Sequence, residues 1–200
     1  MLRRAAANIS VVYIIEEKKR IFALIKNILK SKNDKKCMFL YDDADFSEDI
    51  RKYIIGNDIL TFRAVNSENR IFKNELFSSI DLTVLGDCRD NINIQNIFGI
   101  HKTRTFLLNT DNIDNFKSIN FAEAQIITCG LKEKDTVIFS SIDIEENRVI
   151  LDLQRSITNI KGEVVEPFEK KITVSIFDEM TETNEDLIFA LTVLLFCGRL

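Results

Sequence analysis

Residues 9–29, Ile9-Ser10-Val11-Val12-Tyr13-Ile14-Ile15-Glu16-Glu17-Lys18-Lys19-Arg20-Ile21-Phe22-Ala23-Leu24-Ile25-Lys26-Asn27-Ile28-Leu29, carry the choice of fold. Ile9–Ile15 is nearly all apolar and β-branched, as expected of a strand covered on both faces. In the following segment Ile21, Leu24, Ile25, Ile28 and Leu29 recur at i, i+3, i+4, i+7 and i+8, the stripe of an amphipathic helix. The junction between them, Glu16 to Arg20, contains no glycine, and the first glycine of the chain is Gly56. Nucleotide-binding α/β proteins usually place a glycine-rich loop at such a junction, because glycine reaches φ > 0 and lets backbone N–H groups approach a phosphate. This first loop is not built to wrap a phosphate.

Outward from this stretch, strand-length apolar runs recur at Cys37–Tyr41, Ile59–Phe62, Leu82–Leu85, Thr105–Leu108 and Gln125–Thr128. Segments of helical character separate them, with Ser47–Ile55 and Asn112–Asn120 as shorter helix candidates. Strand and helix in alternation predict an α/β domain with a mostly parallel sheet flanked by helices and joined by right-handed crossovers. After Gly130 the pattern changes to alternation with turn signals. Thr136–Ile144, Arg148–Ser156 and Lys170–Ile176 read as a small antiparallel portion in the C-terminal third, with turns at Glu145-Glu146-Asn147 and Lys161-Gly162. A helix from Glu182 to Cys197 closes the chain. Thr181 or Thr183 could cap its start and Gly198 its end, and its apolar close predicts deep burial.

Two hundred residues suffice for one domain with a real core, here 1–200, and 46% hydrophobic with 29% charged residues excludes a disordered chain. A net charge of −4 gives no global basic field for nucleic acid. No apolar run reaches the ~18 residues of a membrane span. The basic start, Met1 to Ala7, has too short an apolar run for a secretory signal, and its acid-free, Arg-containing composition leaves a transit peptide open. The four cysteines, Cys37, Cys88, Cys129 and Cys197, are far apart with apolar neighbours. They read as free thiols of a cytoplasmic protein and not as a metal set.

Several motifs in order resemble the central ATP-binding domain of the Mur ligases, which that family shares with folylpolyglutamate synthases. The family opens with a strand, TGTNGKTT and a helix. Aligned without gaps on Leu24-Ile25, its lysine falls on Lys18, the next threonine on Lys19, and two of its glycines on Ile14 and Glu17. Ile80 to Asp90 (IDLTVLGDCRD) is similar to the family strand that ends in DHLD, with Asp87 and Asp90 at its aspartates and Cys88 in place of the histidine. Phe106 to Asn112 (FLLNTDN) and Ala124 to Leu131 (AQIITCGL) are similar to two consecutive family strand ends, and the stretch from Phe106 to Ser156, ending in Leu153-Gln154-Arg155-Ser156, carries the resemblance furthest. Thr183 to Ala190, running on to Gly198, is similar to the family's closing helix. The resemblance covers roughly Ile9 to Gly198 and implies a P-loop NTPase-like core without the family's UDP-binding and amino-acid-binding domains.

Such ligases activate a carboxylate with ATP for attack by an amine, which needs a phosphate cradle, a lysine and magnesium ligands. The resemblance implies Lys18, Lys19, Asn109, Asp111 and Asp186 as nucleotide-binding candidates, with Asp87 and Asp90 as weaker metal candidates. Lys102, beside the only histidine His101, is the nearest counterpart of the family's carbamylated lysine, at a spacing that looks too short. Each residue also has a plainer reading. Lys18 to Arg20 also reads as a solvated, charge-balanced helix start, Glu16-Glu17 as favourable charges at a helix N-terminus, and the Asn and Asp residues as turn and cap formers. No nucleophile–histidine constellation can be assembled. The expectation is a non-catalytic Mur ligase-like domain that binds a protein or small ligand, or self-associates, with a link to peptidoglycan synthesis and with no cofactor. The alternative is an ATP-dependent amide-forming ligase with an altered phosphate site, which would need ATP and magnesium.

Overall fold

The computed structural model of the chain describes residues 10–16, 18–32, 36–40, 60–65, 79–86, 103–116, 119–121, 123–143, 145–173 and 184–200. Strands β1 (Ser10–Ile15), β2 (Cys37–Leu40), β3 (Leu60–Val65), β4 (Ile80–Leu85), β5 (Thr103–Leu108), β6 (Gln125–Gly130), β7 (Val137–Asp143), β8 (Arg148–Leu153) and β11 (Phe168–Thr173) form a nine-stranded sheet. Its order is β11-β8-β7-β6-β5-β4-β1-β3-β2, and every pairing from β7 to β2 is parallel. The β7–β8 and β8–β11 pairings are antiparallel. Two short strands, β9 (Ile157–Thr158) and β10 (Val164–Val165), make a separate ribbon. This is the α/β architecture expected from the sequence, including its antiparallel C-terminal portion.

Helices α1 (Arg20–Ser31) and α2 (Asn184–Phe196) pack against each other and over one face of the sheet. The apolar stripe of α1 is fully engaged, with Ile21, Leu24, Ile25 and Leu29 at most 1% exposed. Phe22 meets the Phe39 ring edge-on at 5.6 Å, and Phe39 stacks on Phe62 at 5.2 Å, which ties α1 to β2 and β3. Val12, Leu82, Leu107, Ile127 and Leu151 continue this core across the sheet. The opposite face buries Val11, Tyr13, Ile15, Phe106 and Leu108 beneath Phe116.

From Asp186 to Cys197 every residue of α2 and its end is buried, so the helix is enclosed and not striped. It stops in a Schellman motif. Gly198 takes φ 65, its N–H donates to the Leu195 carbonyl, and the Arg199 N–H donates to that of Leu194. The two sequence-level turns also close as expected. Asn147, at φ 50, sits between β7 and β8, and Gly162, at φ 81, between β9 and β10. The segment Asn112–Asn120 differs from expectation, because residues Thr110–Phe116 form a 3-10 turn. Of the apolar side chains in this turn Phe116 is buried and Ile113 is 45% exposed, so no continuous apolar stripe faces the core. The candidate helix Ser47–Ile55 and the caps Thr181 and Thr183 lie outside the described residues.

Cys37, Cys129 and Cys197 are free thiols. Burial pushes the Cys129 and Cys197 thiols well above the ordinary range, so neither forms the reactive thiolate. Ellman's reagent applied to the native chain is therefore expected to leave both unmodified, with labelling only on denaturation, as located by peptide mass analysis.

Candidate functional site

The strand order reverses between β1 and β4, since β3 and β2 lie to one side of β1 and β4 to β6 to the other. In open α/β sheets ligands bind in the crevice outside the strand carboxyl ends at such a reversal. Here the chain leaves β1 at Glu16 and β4 at Gly86. The Gly86 N–H donates to the Ile15 carbonyl at 3.0 Å, which draws the two strand ends together.

Glu16 is only 3% exposed. Its carboxylate turns back onto the start of α1, where Oε2 accepts the Ile21 N–H and Oε1 the Phe22 N–H, both at 2.9 Å. These are first-turn donors of a helix, the groups left open for an anion when a phosphate binds at a helix N-terminus. Lys19, immediately before the helix, takes φ 53, a left-handed conformation that glycine would adopt at less cost, and provides no side-chain cap. Glu16 is thus the cap of α1, placed there by the bend at Lys19. Burial pushes its carboxyl above the ordinary glutamate range. The Phe22 and Ile21 N–H groups pull it back down, and the nearby charge of Asp186 adds to the upward push.

Space at this point is tight. A Cβ on Gly86 would lie 2.8 Å from Ile21 Cδ1 and 3.2 Å from Glu16 Cβ. Gly86→Ala is expected to destabilise the chain by about 1–3 kcal/mol through overpacking, read from the shift of its denaturation midpoint.

The sequence-derived candidates fall into two groups. At the start of α1, Lys18 is exposed and Lys19 half-buried, and Arg20 Nη1 lies 3.5 Å from Oδ2 of Asp186, which is buried in the first turn of α2. Asp186 thereby joins the two helix starts beside Glu16. The second group lies at the ends of β5 and β6. Buried Asn109 accepts the Asp111 N–H on its Oδ1 at 2.8 Å, an Asx turn, and Asp111 pairs with Lys132. Asp87, Asp90, His101 and Lys102 lie outside the described residues.

Two site features were missed at the sequence level. The internal contact of Glu16 is one, since its place near a helix N-terminus predicts a favourable charge but not which backbone N–H groups it meets. The other is Asp135, fully buried, which accepts the Thr110 hydroxyl at 2.9 Å and the Lys132 N–H at 3.3 Å. A Cβ on Gly130 would come within 2.5 Å of Asp135 Oδ2, so glycine is what lets this carboxylate close the end of β6. Nothing in the charged run Lys132-Glu133-Lys134-Asp135 marks its last member as the buried one. Among the described residues no group of three or more His, Cys, Asp or Glu side chains is arranged to hold a metal ion.

Fold and crevice together define a mostly parallel α/β domain whose reversal point is closed by its own acid. Comparison with protein-family models and with curated proteins gives no match. Among solved structures the chain is similar to two crystal structures of MurF from Acinetobacter baumannii, at 8% identity and TM-scores of 0.45 and 0.46. It is also similar to the UDP-N-acetylmuramoylalanyl-D-glutamyl-2,6-diaminopimelate–D-alanyl-D-alanyl ligase of the same organism, at 8% identity and a TM-score of 0.48. These superpositions cover 95–96% of this chain and 43% of each of those chains.

Proposed function

We propose that the chain is a non-catalytic relative of the Mur ligase central domain that acts by binding a protein or a small ligand and not by ATP-driven ligation. The observation that carries this reading is the Glu16 carboxylate on the Ile21 and Phe22 N–H groups. A phosphate brought to the same place would lose those donors and meet a like charge. At ~4 Å and an effective dielectric of ~20 each such contact costs about 4 kcal/mol. Two would cancel the roughly 8 kcal/mol of a micromolar affinity. The link to peptidoglycan synthesis rests on the sequence motifs, and a cytoplasmic location on the free thiols. Among the described residues no helix is long and apolar enough to cross a membrane.

Titration calorimetry with Mg-ATP and with ADP tests the reading. The expected result is no binding tighter than about 100 µM. Tighter, magnesium-dependent binding would sink it in favour of the ligase alternative. A loss of that binding in Lys18→Ala would then assign the phosphate contact to Lys18.

A further inference from the structure

The opposite end of the same sheet holds a separate, open cleft of about 250 Å³. It lies where β4, β5 and β6 begin, walled by Asp81, Arg104 and Gln125 and by the turn between β9 and β10. The turn is held in place at two points. The Gln125 side-chain amide bonds to Thr158 in both directions, donating to its carbonyl at 3.0 Å and accepting its N–H at 2.7 Å. The Ile160 N–H donates to the Phe196 carbonyl at the end of α2, 3.0 Å away. The cleft is therefore a preformed feature of the packed domain.

Its polar groups come as a charged pair. Asp81 is 9% exposed, and its Oδ2 accepts the Val11 N–H at 2.9 Å. Among the described residues, the partner of its Oδ1 is Arg104 Nη1 at 3.4 Å, the long end of the hydrogen-bond range. The Arg104 side chain is 70% exposed at the rim. A planar guanidinium has five donors in a fork that suits a carboxylate, so this contact leaves most of its capacity unused. Burial also pushes the Asp81 carboxyl above its ordinary range, against the pull of the Val11 N–H and Arg104. Ile160 and Phe196 supply apolar surface beside the pair. The volume lies below the ~300–1,000 Å³ usual for drug-sized ligands, which restricts the occupant to a small molecule.

We propose that this cleft binds a small zwitterion of the α-amino-acid type, its ammonium on Asp81 Oδ1, its carboxylate on the Arg104 guanidinium and an aliphatic side chain against Ile160 and Phe196. The site is independent of the reading above, because it lies at the other end of the strands and uses none of the Glu16 contacts.

Amide NMR of the full chain with L-leucine as probe tests the proposal, with leucinamide, which lacks the carboxylate, and N-acetyl-L-leucine, which lacks the ammonium, as comparisons. L-Leucine is expected to give saturable shifts at Gln125, Ile160 and Gly162, and each comparison probe to bind about tenfold or more weakly. Arg104→Gln, an exposed change that spares the core, should erase the preference for leucine over leucinamide. Asp81→Asn should erase the preference over N-acetyl-leucine. Absence of a saturable shift, equal responses to the three probes, or an unchanged preference in Arg104→Gln would each overturn the assignment.

Discussion

Glu16→Ala is expected to lower the unfolding free energy by about 2–6 kcal/mol in urea denaturation at neutral pH. The Ile21 and Phe22 N–H groups would remain at a buried helix start with no acceptor, and each unsatisfied buried donor costs about 1–3 kcal/mol. Capping a helix from a solvated side chain is a smaller effect, about 1 kcal/mol, so a loss of that size would mean that water reaches the crevice. The deficit also depends on pH with a definite sign. The folded carboxyl titrates above its unfolded value, so the folded chain binds the proton more tightly. The contribution of Glu16 is therefore fully present below the ordinary glutamate range and declines as pH rises through the raised folded value. The gap between wild type and Glu16→Ala should be wider in acid than at neutral pH. Inorganic phosphate at constant ionic strength should stabilise Glu16→Ala more than wild type, because only the variant presents open donors at α1. An equal response of the two chains would show that Glu16 does not occupy an anion site.

Phe22→Ala is expected to cost about 3–5 kcal/mol, the range for a large aromatic removed from a core that cannot collapse around the space. Phe22 is 1% exposed and contacts Phe39, which in turn stacks on the fully buried Phe62. Removing the first ring loosens the support of the other two, and with it the seating of α1 on β2 and β3. The same change should lower the protection of the Ile21 and Phe22 amides in hydrogen exchange, since the Glu16 cap depends on where α1 lies. Phe22→Leu, which keeps most of the volume, should recover more than half of the loss.

Much of the architecture was legible because it is written in local periodicity. The near-continuous apolar runs marked parallel strands covered on both faces, the five-residue stripe in Ile21–Leu29 marked α1, and Gly198 marked the end of α2. Where the local signal was thin, the reading drifted, as in the polar segment after Asn109. There Thr110–Phe116 buries Phe116 and leaves Ile113 exposed, and with the Asx turn of Asn109 the segment forms a 3-10 turn and not an α-helix. The candidate site was less legible. The missing glycines were visible, but what fills the space they leave was not.

The amino-acid sequence by itself determined that Glu16 to Arg20 joins a buried strand to an amphipathic helix with no glycine between them. Tertiary structure alone decided that β1 lies beside β4 at the reversal of strand order, and that Glu16 turns inward to cap α1. Hydrophobic period and turn residues act over a few positions, whereas the burial of one carboxylate depends on strands and helices brought together from distant parts of the chain. Asp81, 70 residues from the Val11 N–H that holds it, shows the same dependence at the other end of the sheet.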